Sequence, residues 1–156
     1  MTRRGPGRSF DGPQSARYIG NPMGATPFER MGGEPVLRAV IRDFVGRVFD
    51  DPMIGFFFRR ASRDRIERLE YELAAEFLGA PVRYSGRPLD VAHAPHPIRG
   101  GHFARRRELL RRTLVEHQVP QDIIAALLAH TDALRALVTP DRYDGCDPEP
   151  ASDARK

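Results

Sequence analysis

The chain is almost without cysteine and almost without lysine. Cys146 is the single cysteine in 156 residues, so no disulfide within the chain is possible, which fits a reducing, cytoplasmic setting. Lys156 is the single lysine, so arginine supplies nearly all the positive charge. Long apolar runs are missing too. Nothing approaches the roughly 18 consecutive apolar residues of a membrane-spanning helix, so no membrane association is expected. The start, Met1-Thr-Arg-Arg-Gly-Pro-Gly-Arg8, is basic, but no apolar stretch follows it, so it does not read as a secretory signal. No segment shows the alternating pattern of a convincing strand.

The net charge of +4 invites a nucleic-acid reading. Residues 1–24, however, hold Arg3, Arg4, Arg8 and Arg17 against Asp11, four arginines against one aspartate, a local +3. Most of the excess therefore sits in a Gly-, Pro- and Ser-rich tail, and no nucleic-acid partner is expected. That tail buries too little apolar surface to order itself, and residues 140–156 read the same way. The expected division is a disordered basic tail over 1–24, a folded domain over 25–139 and a disordered tail over 140–156. Hydrophobic residues make up 40 % of the chain, enough for one globular interior.

What the middle contains is helical period throughout. Pro27-Phe-Glu-Arg-Met31 forms a short turn that ends at Gly32-Gly33. Pro35 opens a helix with the stripe Leu37, Val40, Ile41, Phe44, Val45, Val48 and Phe49, which Asp51-Pro52 stops. A connector follows with Phe56, Phe57 and Phe58. Three adjacent phenylalanines cannot all face one core from one helix, so at least one has a special place. Ser62 caps the next helix, whose stripe is Ile66, Leu69, Glu70, Leu73, Ala74, Phe77 and Leu78, and Gly79 ends it. Two further helices are expected. One spans Gly101 to His117, with Phe103, Arg106, Leu110, Thr113 and Leu114 on one face. The other starts at Val119-Pro120 and runs along Ile123, Ile124, Leu127, Leu128, Thr131, Leu134 and Val138 as one face. The expected class is all-α, with about four main helices.

His93 is the most informative residue. It lies on a short apolar stretch between the Ser85-Gly86 turn and a Pro-rich break, the setting a haem iron needs for one axial imidazole. His93-x-x-His96 does not read as a zinc site. Pro95 and Pro97 break the helix that would align the rings, and no cysteine or carboxylate completes a tetrahedral set. His102 reads as a helix-start residue, exposed or capping. His117 reads as structural, and so does His130 unless it edges a pocket.

Five motifs, in order, carry a resemblance. They are Phe28-Glu-Arg-Met-Gly32-Gly33; Asp43-Phe44-Val45 with Arg47-Val48; Gly55-Phe-Phe57-Phe58; Phe77-Leu78-Gly79 with Tyr84-Ser85-Gly86; and Leu89-x-x-x-His93 with Ile98-x-x-x-His102-Phe103. Together they resemble the truncated haemoglobins, the short two-over-two helical globins, group I above all, over about residues 27–139. The resemblance implies a two-over-two helical sandwich and a haem b whose iron is ligated by His93. It implies that Phe58 packs flat on the porphyrin, that Ile66, Leu73, Leu89, Ile98, Phe103 and Leu127 line the cavity, and that Arg63 or Arg87 reaches a propionate. It further implies a diatomic gas ligand (dioxygen, nitric oxide or carbon monoxide), a reductase of unknown identity and a monomer or weak homodimer. Whether the chain would transport, sense or transform the gas stays open. A haem oxidoreductase (nitric-oxide dioxygenase or peroxidase-like) and a haem-free globin-fold binding module are the rival readings.

The chain departs from the family on the far side of the haem. Val45 stands where the family commonly has a tyrosine whose hydroxyl donates to bound dioxygen, and valine cannot donate. Glu70 stands where glutamine is frequent. Arg106 falls on an apolar face that in the family approaches the same pocket. A buried charge implies a partner, so Glu70 and Arg106 are expected to meet across the cavity. Tyr71, beside Glu70, could reach either the haem edge or a neighbouring helix.

Overall fold

The computed structural model describes residues 24–139. The expected tails over 1–24 and 140–156 lie outside the described residues, apart from Gly24. The elements are α1 (Pro27–Arg30), α2 (Gly33–Asp50), a 3-10 turn (Gly55–Phe58), α3 (Arg63–Phe77), α4 (Leu89–His93), α5 (Gly100–Glu116), α6 (Gln121–Ala133) and α7 (Arg135–Val138). Among the described residues there is no strand, and no helix is long and apolar enough to cross a membrane. The architecture is all-α, the two-over-two helical sandwich expected of the sequence. Helix α2 packs on both α3 and α5, α5 packs on α6, and α4 packs on α7.

The helix boundaries follow local chemistry. Thr26 caps α1 with a full capping box, and its Oγ1 accepts from the Glu29 N–H at 3.2 Å. Gly32 and Gly33 carry φ of +116° and +71°, a left-handed turn that a side chain resists, and α2 begins there, two residues before Pro35. Asp51 ends α2. Its carboxylate turns back to accept from the N–H groups of Met53 at 2.9 Å and Ile54 at 3.2 Å, which opens the 3-10 turn. A Cβ on Gly55 would lie 2.4 Å from the Phe49 carbonyl oxygen, so only glycine lets the turn come this close to α2. Ser62 caps α3 through the Arg65 N–H at 3.3 Å.

Most of the expected stripes of α2 and α5 are buried: Leu37, Val40, Ile41, Phe44, Val45 and Val48, and Phe103, Leu110, Thr113 and Leu114, whereas Phe49 and Arg106 are half-buried. Two elements differ from expectation. On α3 the tightly buried face holds Tyr71, Ala75, Glu76 and Phe77, whereas Ile66, Leu69, Glu70, Leu73 and Ala74 are only half-buried. The apolar stripe of α3 faces a cavity, not the solid core. Tyr71 turns to α2, where the Arg38 guanidinium lies 4.1 Å from its ring centre. The last helix is also not continuous. The Leu134 N–H is shared between the carbonyls of His130 at 3.2 Å and Thr131 at 3.1 Å, a local tightening that separates α6 from α7.

Candidate functional site

Two cavities share a wall made by α3, α4 and α5. The larger, about 490 Å³, lies within the ~300–1,000 Å³ of ligand and cofactor pockets. Phe57, Phe58, Ile66, Leu69, Leu73, Leu89, Ile98 and Phe103 give it apolar walls. The smaller, about 90 Å³, lies against Phe44, Leu110, Leu127 and His130. Glu70, Leu73, Leu89, His93, Phe103 and Arg106 line both.

His93 is the last residue of α4, a helix of 5 residues confined by Pro88 on one side and Pro95 and Pro97 on the other. Its Nδ1 lies 2.7 Å from the carbonyl oxygen of Leu89, one turn back. A carbonyl only accepts, so Nδ1 carries the proton and donates. Burial pushes the imidazole pKa below its ordinary 6.5, the nearby Arg106 charge adds to this, and the Leu89 hydrogen bond opposes it. The ring is therefore neutral near pH 7 with its lone pair on Nε2, the state a metal requires.

Glu70 and Arg106 meet as the sequence led us to expect. Arg106 Nη2 donates to Glu70 Oε1 at 2.6 Å, and both side chains are 26 % exposed. The Arg106 guanidinium also sits 5.0 Å from the centre of the Phe44 ring. Arginines border the solvent side of the larger cavity. Arg60, Arg65 and Arg87 are exposed there, and the Tyr84 hydroxyl donates to the Arg87 carbonyl oxygen at 2.9 Å. Arg63, named with Arg87 as a propionate partner, is elsewhere. It pairs with Glu67 at 3.0 Å, beside Gly46 on α2, and lines neither cavity.

The remaining expected residues sort unevenly. Phe58 borders the larger cavity and lies 5.2 Å from Phe49. Leu127 borders only the smaller one. Val45 is 1 % exposed within the core and lines neither, whereas its neighbour Phe44 reaches the smaller cavity. His130 does edge that cavity. It is buried, stacks on Phe77 at 4.0 Å, and its Nε2 has no hydrogen-bond partner.

Sequence reasoning left the cavity roles of several residues unassigned. Phe57, His96 and His102 form an edge-on ring cluster at the larger cavity, with Phe57 at 6.4 Å from His96 and 5.1 Å from His102. His102 Nδ1 also accepts from the Arg99 N–H at 3.1 Å, which is the capping role foreseen. Arg65, one turn before Leu69, was legible from helical phase. The last is Glu76, buried on α3, which accepts the Tyr84 N–H at 2.9 Å and fixes the start of the His93 segment.

Among the described residues no group of three or more His, Cys, Asp or Glu side chains could hold a metal. His93 thus has no protein co-ligands, and a metal there needs its other ligands from a bound molecule. Apolar walls with three phenylalanine rings, the neutral His93 imidazole and a solvent rim of arginines fit a flat macrocycle with two carboxylates. Those are the features of haem.

The comparisons with known proteins agree. The family model described as "Bacterial-like globin" matches residues 26–139. The chain is 29 % identical over 104 residues to a group 1 truncated haemoglobin of Mycolicibacterium paratuberculosis, covering 67 % of this chain and 76 % of that protein. It is 28 % identical over 109 residues to the group 1 truncated haemoglobin of Tetrahymena pyriformis, covering 68 % and 90 %. The crystal structure of the ferric Tetrahymena pyriformis protein superposes with a TM-score of 0.69 at 25 % identity, covering 74 % of this chain and 98 % of that one. The haemoglobin of Chloroflexus aurantiacus superposes with a TM-score of 0.66 at 26 % identity, covering 74 % and 99 %. The chain belongs to the bacterial-like globin family and, like the truncated haemoglobins it resembles, is a haem protein whose cofactor carries iron.

Proposed function

We propose that His93 ligates the haem iron through Nε2 and that the protein binds a diatomic gas on the opposite face of the macrocycle. The observation that carries this reading is the 2.7 Å hydrogen bond from His93 Nδ1 to the Leu89 carbonyl, made beside an apolar cavity. It fixes the ring, selects the tautomer and raises the basicity of the other nitrogen. Haem, when bound, would supply a reducible iron able to take a small ligand. The protein supplies the rest. Ile66, Leu73, Leu89, Ile98 and Phe103 exclude water from the macrocycle, and Phe58 packs on its plane. Arg87, with Arg60 or Arg65, takes the carboxylates. Leu127 borders the small side cavity, which has room for a diatomic molecule.

An absorption spectrum of the purified protein tests the reading directly. A Soret band that shifts on reduction and again under carbon monoxide is expected. The His93→Ala variant should lose it, and free imidazole should restore part of it. A normal Soret band in His93→Ala would remove His93 from the iron.

No tyrosine stands in the family's donor position, where Val45 is packed in the core, and the tyrosine that does line the cavity, Tyr84, donates its hydroxyl to the Arg87 carbonyl. Arg106 is the arginine that borders both cavities, and Glu70 engages it. Dioxygen should therefore leave faster than from truncated haemoglobins with the tyrosine. A slower stopped-flow off-rate would contradict this.

A further inference from the structure

Arg106 uses its guanidinium unlike Arg107 and Arg111 on the same helix. Arg107 forks onto Asp132 with two bonds, at 2.6 Å and 2.8 Å. Arg111 forks onto Glu108 with two bonds, both at 2.8 Å. Arg106 makes a single end-on bond to Glu70, through Nη2 alone. A guanidinium has five N–H donors in a planar fork, so most of its donor capacity stays uncommitted beside the cavity.

The charge around the larger cavity is also one-sided. Arg60, Arg65, Arg87 and Arg106 line it against Glu70 alone among carboxylates. Among the described residues, none of Arg60, Arg65 and Arg87 forms an ion pair. The two carboxylates of a haem balance two of these three exposed arginines and leave the deeper Arg106–Glu70 pair as it stands. Arg106 alone of the four also lines the smaller cavity, against Phe44. A cation with spare donors and apolar neighbours discriminates by charge. A neutral gas gains little from it, whereas an anion gains a charge-assisted hydrogen bond in a partly dry setting.

We propose, resting on the haem reading above, that Arg106 is the specificity-determining residue of the ligand site, selecting small monovalent anions of one to three atoms on the ferric protein, with Glu70 as the internal anion that competes for the same guanidinium. The ligand enters the cavity, takes the unused N–H groups of Arg106 and weakens the Glu70 contact. Glu70 sets how tightly foreign anions bind by occupying part of their partner. The site thus favours anions on the oxidised protein over neutral gases on the reduced one, a balance that a tyrosine-lined pocket would not give.

Sodium fluoride is the probe, titrated into the haem-loaded ferric full chain at pH 7 and fixed ionic strength, with binding read from the Soret band. Each variant is also titrated in the ferrous state with carbon monoxide, and the readout is the ratio of the two affinities. Arg106→Leu should lower that ratio by about 10- to 100-fold, the worth of one charge-assisted hydrogen bond. Arg106→Lys should recover part of it. Glu70→Gln, which releases the guanidinium, should raise fluoride affinity by roughly 3- to 10-fold on the same reasoning. An unchanged ratio in Arg106→Leu overturns the proposal. Should that variant fail to hold haem, fluoride affinity unchanged or lowered in Glu70→Gln overturns it equally. Failure of the haem reading looks different: no Soret band in the unaltered protein, or one that survives His93→Ala.

Discussion

Two short segments outside the long helices build the larger cavity, and they are held in contrasting ways. The turn that carries Phe57 and Phe58 is organised from within. Asp51, with a side chain only 2 % exposed, accepts N–H groups two and three residues ahead and pairs with Arg105 at 2.8 Å. The segment that carries His93 is organised from outside. Glu76 accepts the Tyr84 N–H at 2.9 Å from 8 residues away, and Glu72 accepts the Ser85 N–H at 2.9 Å and its hydroxyl at 2.7 Å from 13 residues away. Both devices place a carboxylate on orphan backbone donors, which is how irregular backbone is made acceptable beside a core. The difference is that the phenylalanine turn carries its own anchor, whereas the His93 segment borrows one from α3. The wall expected to bind iron is therefore the one that can loosen without unfolding the rest.

The largest effect should come from Asp51. In Asp51→Ala, Arg105 and two N–H groups lose their acceptor, and stability should fall by about 2–4 kcal/mol in urea denaturation. Burial alone would raise the Asp51 pKa, but the Arg105 guanidinium and the Met53 and Ile54 N–H groups outweigh it and hold the carboxyl below its ordinary 3.8. A depressed carboxylate adds its stability above the unfolded value and loses it as pH falls through the folded one. The unaltered protein should therefore lose stability below about pH 4, and Asp51→Asn should be flatter across that window. A cost in Asp51→Ala smaller than that of the corresponding change at Glu76 would reverse the ranking of the two anchors.

Glu76→Ala should cost less in global stability, about 1–2 kcal/mol, because it frees one buried N–H at the edge of a segment. Its effect on haem retention should be the larger of the two. With Tyr84 released, the approach to His93 stays tethered through Ser85, which donates to Glu72 and accepts from Arg68. Haem transfer to a scavenging apoprotein measures this, and Glu76→Ala should release haem faster than Asp51→Ala does. Equal release rates would mean that α4 is positioned by its packing on α7 and not through α3.

The same contrast explains what could be read in the sequence. Asp51-Pro52 and Ser62 are local signals whose partners lie within three residues, and they marked the ends of α2 and the start of α3 correctly. The apolar period of α2 and α5 identified their buried faces because both are covered by other helices. On α3 the period was just as clear, but it could not distinguish a core from a cavity, since both are apolar. The pairing of Glu70 with Arg106 was legible because a charge in an apolar stripe demands a partner. Glu72 and Glu76 drew no notice. Nothing in a helix face says that a later loop will return to it, and their partners are fixed only by the closure of residues 78–85. Val45 shows the limit of motif matching, for its neighbour Phe44 is the residue that reaches a cavity.

His130 sharpens the comparison from the opposite side, because it is a buried polar group whose Nε2 has no partner. Removing Asp51 or Glu76 strands the groups they hold, whereas removing the His130 nitrogens strands nothing that Nε2 was bonding. His130→Phe keeps a flat ring against Phe77, and the cavity of about 90 Å³ beside it takes the extra atoms. It should stabilise the fold by about 0.5–1 kcal/mol at pH 7, as expected when an unsatisfied buried nitrogen is replaced by carbon. Burial lowers the His130 pKa from its ordinary 6.5, so the folded state keeps the ring neutral while the unfolded chain protonates it. The unaltered protein then loses stability as pH falls through 6.5, and His130→Phe should lose less, keeping only the part that the likewise depressed His93 contributes, so its advantage grows between pH 6.5 and pH 5. Chemical denaturation at the two ends of that range decides it. A variant that is weaker at pH 7 and falls with the same slope would mean that Nε2 has a partner such as an ordered water, and that His130 belongs with Asp51 and Glu76 among the satisfied buried groups.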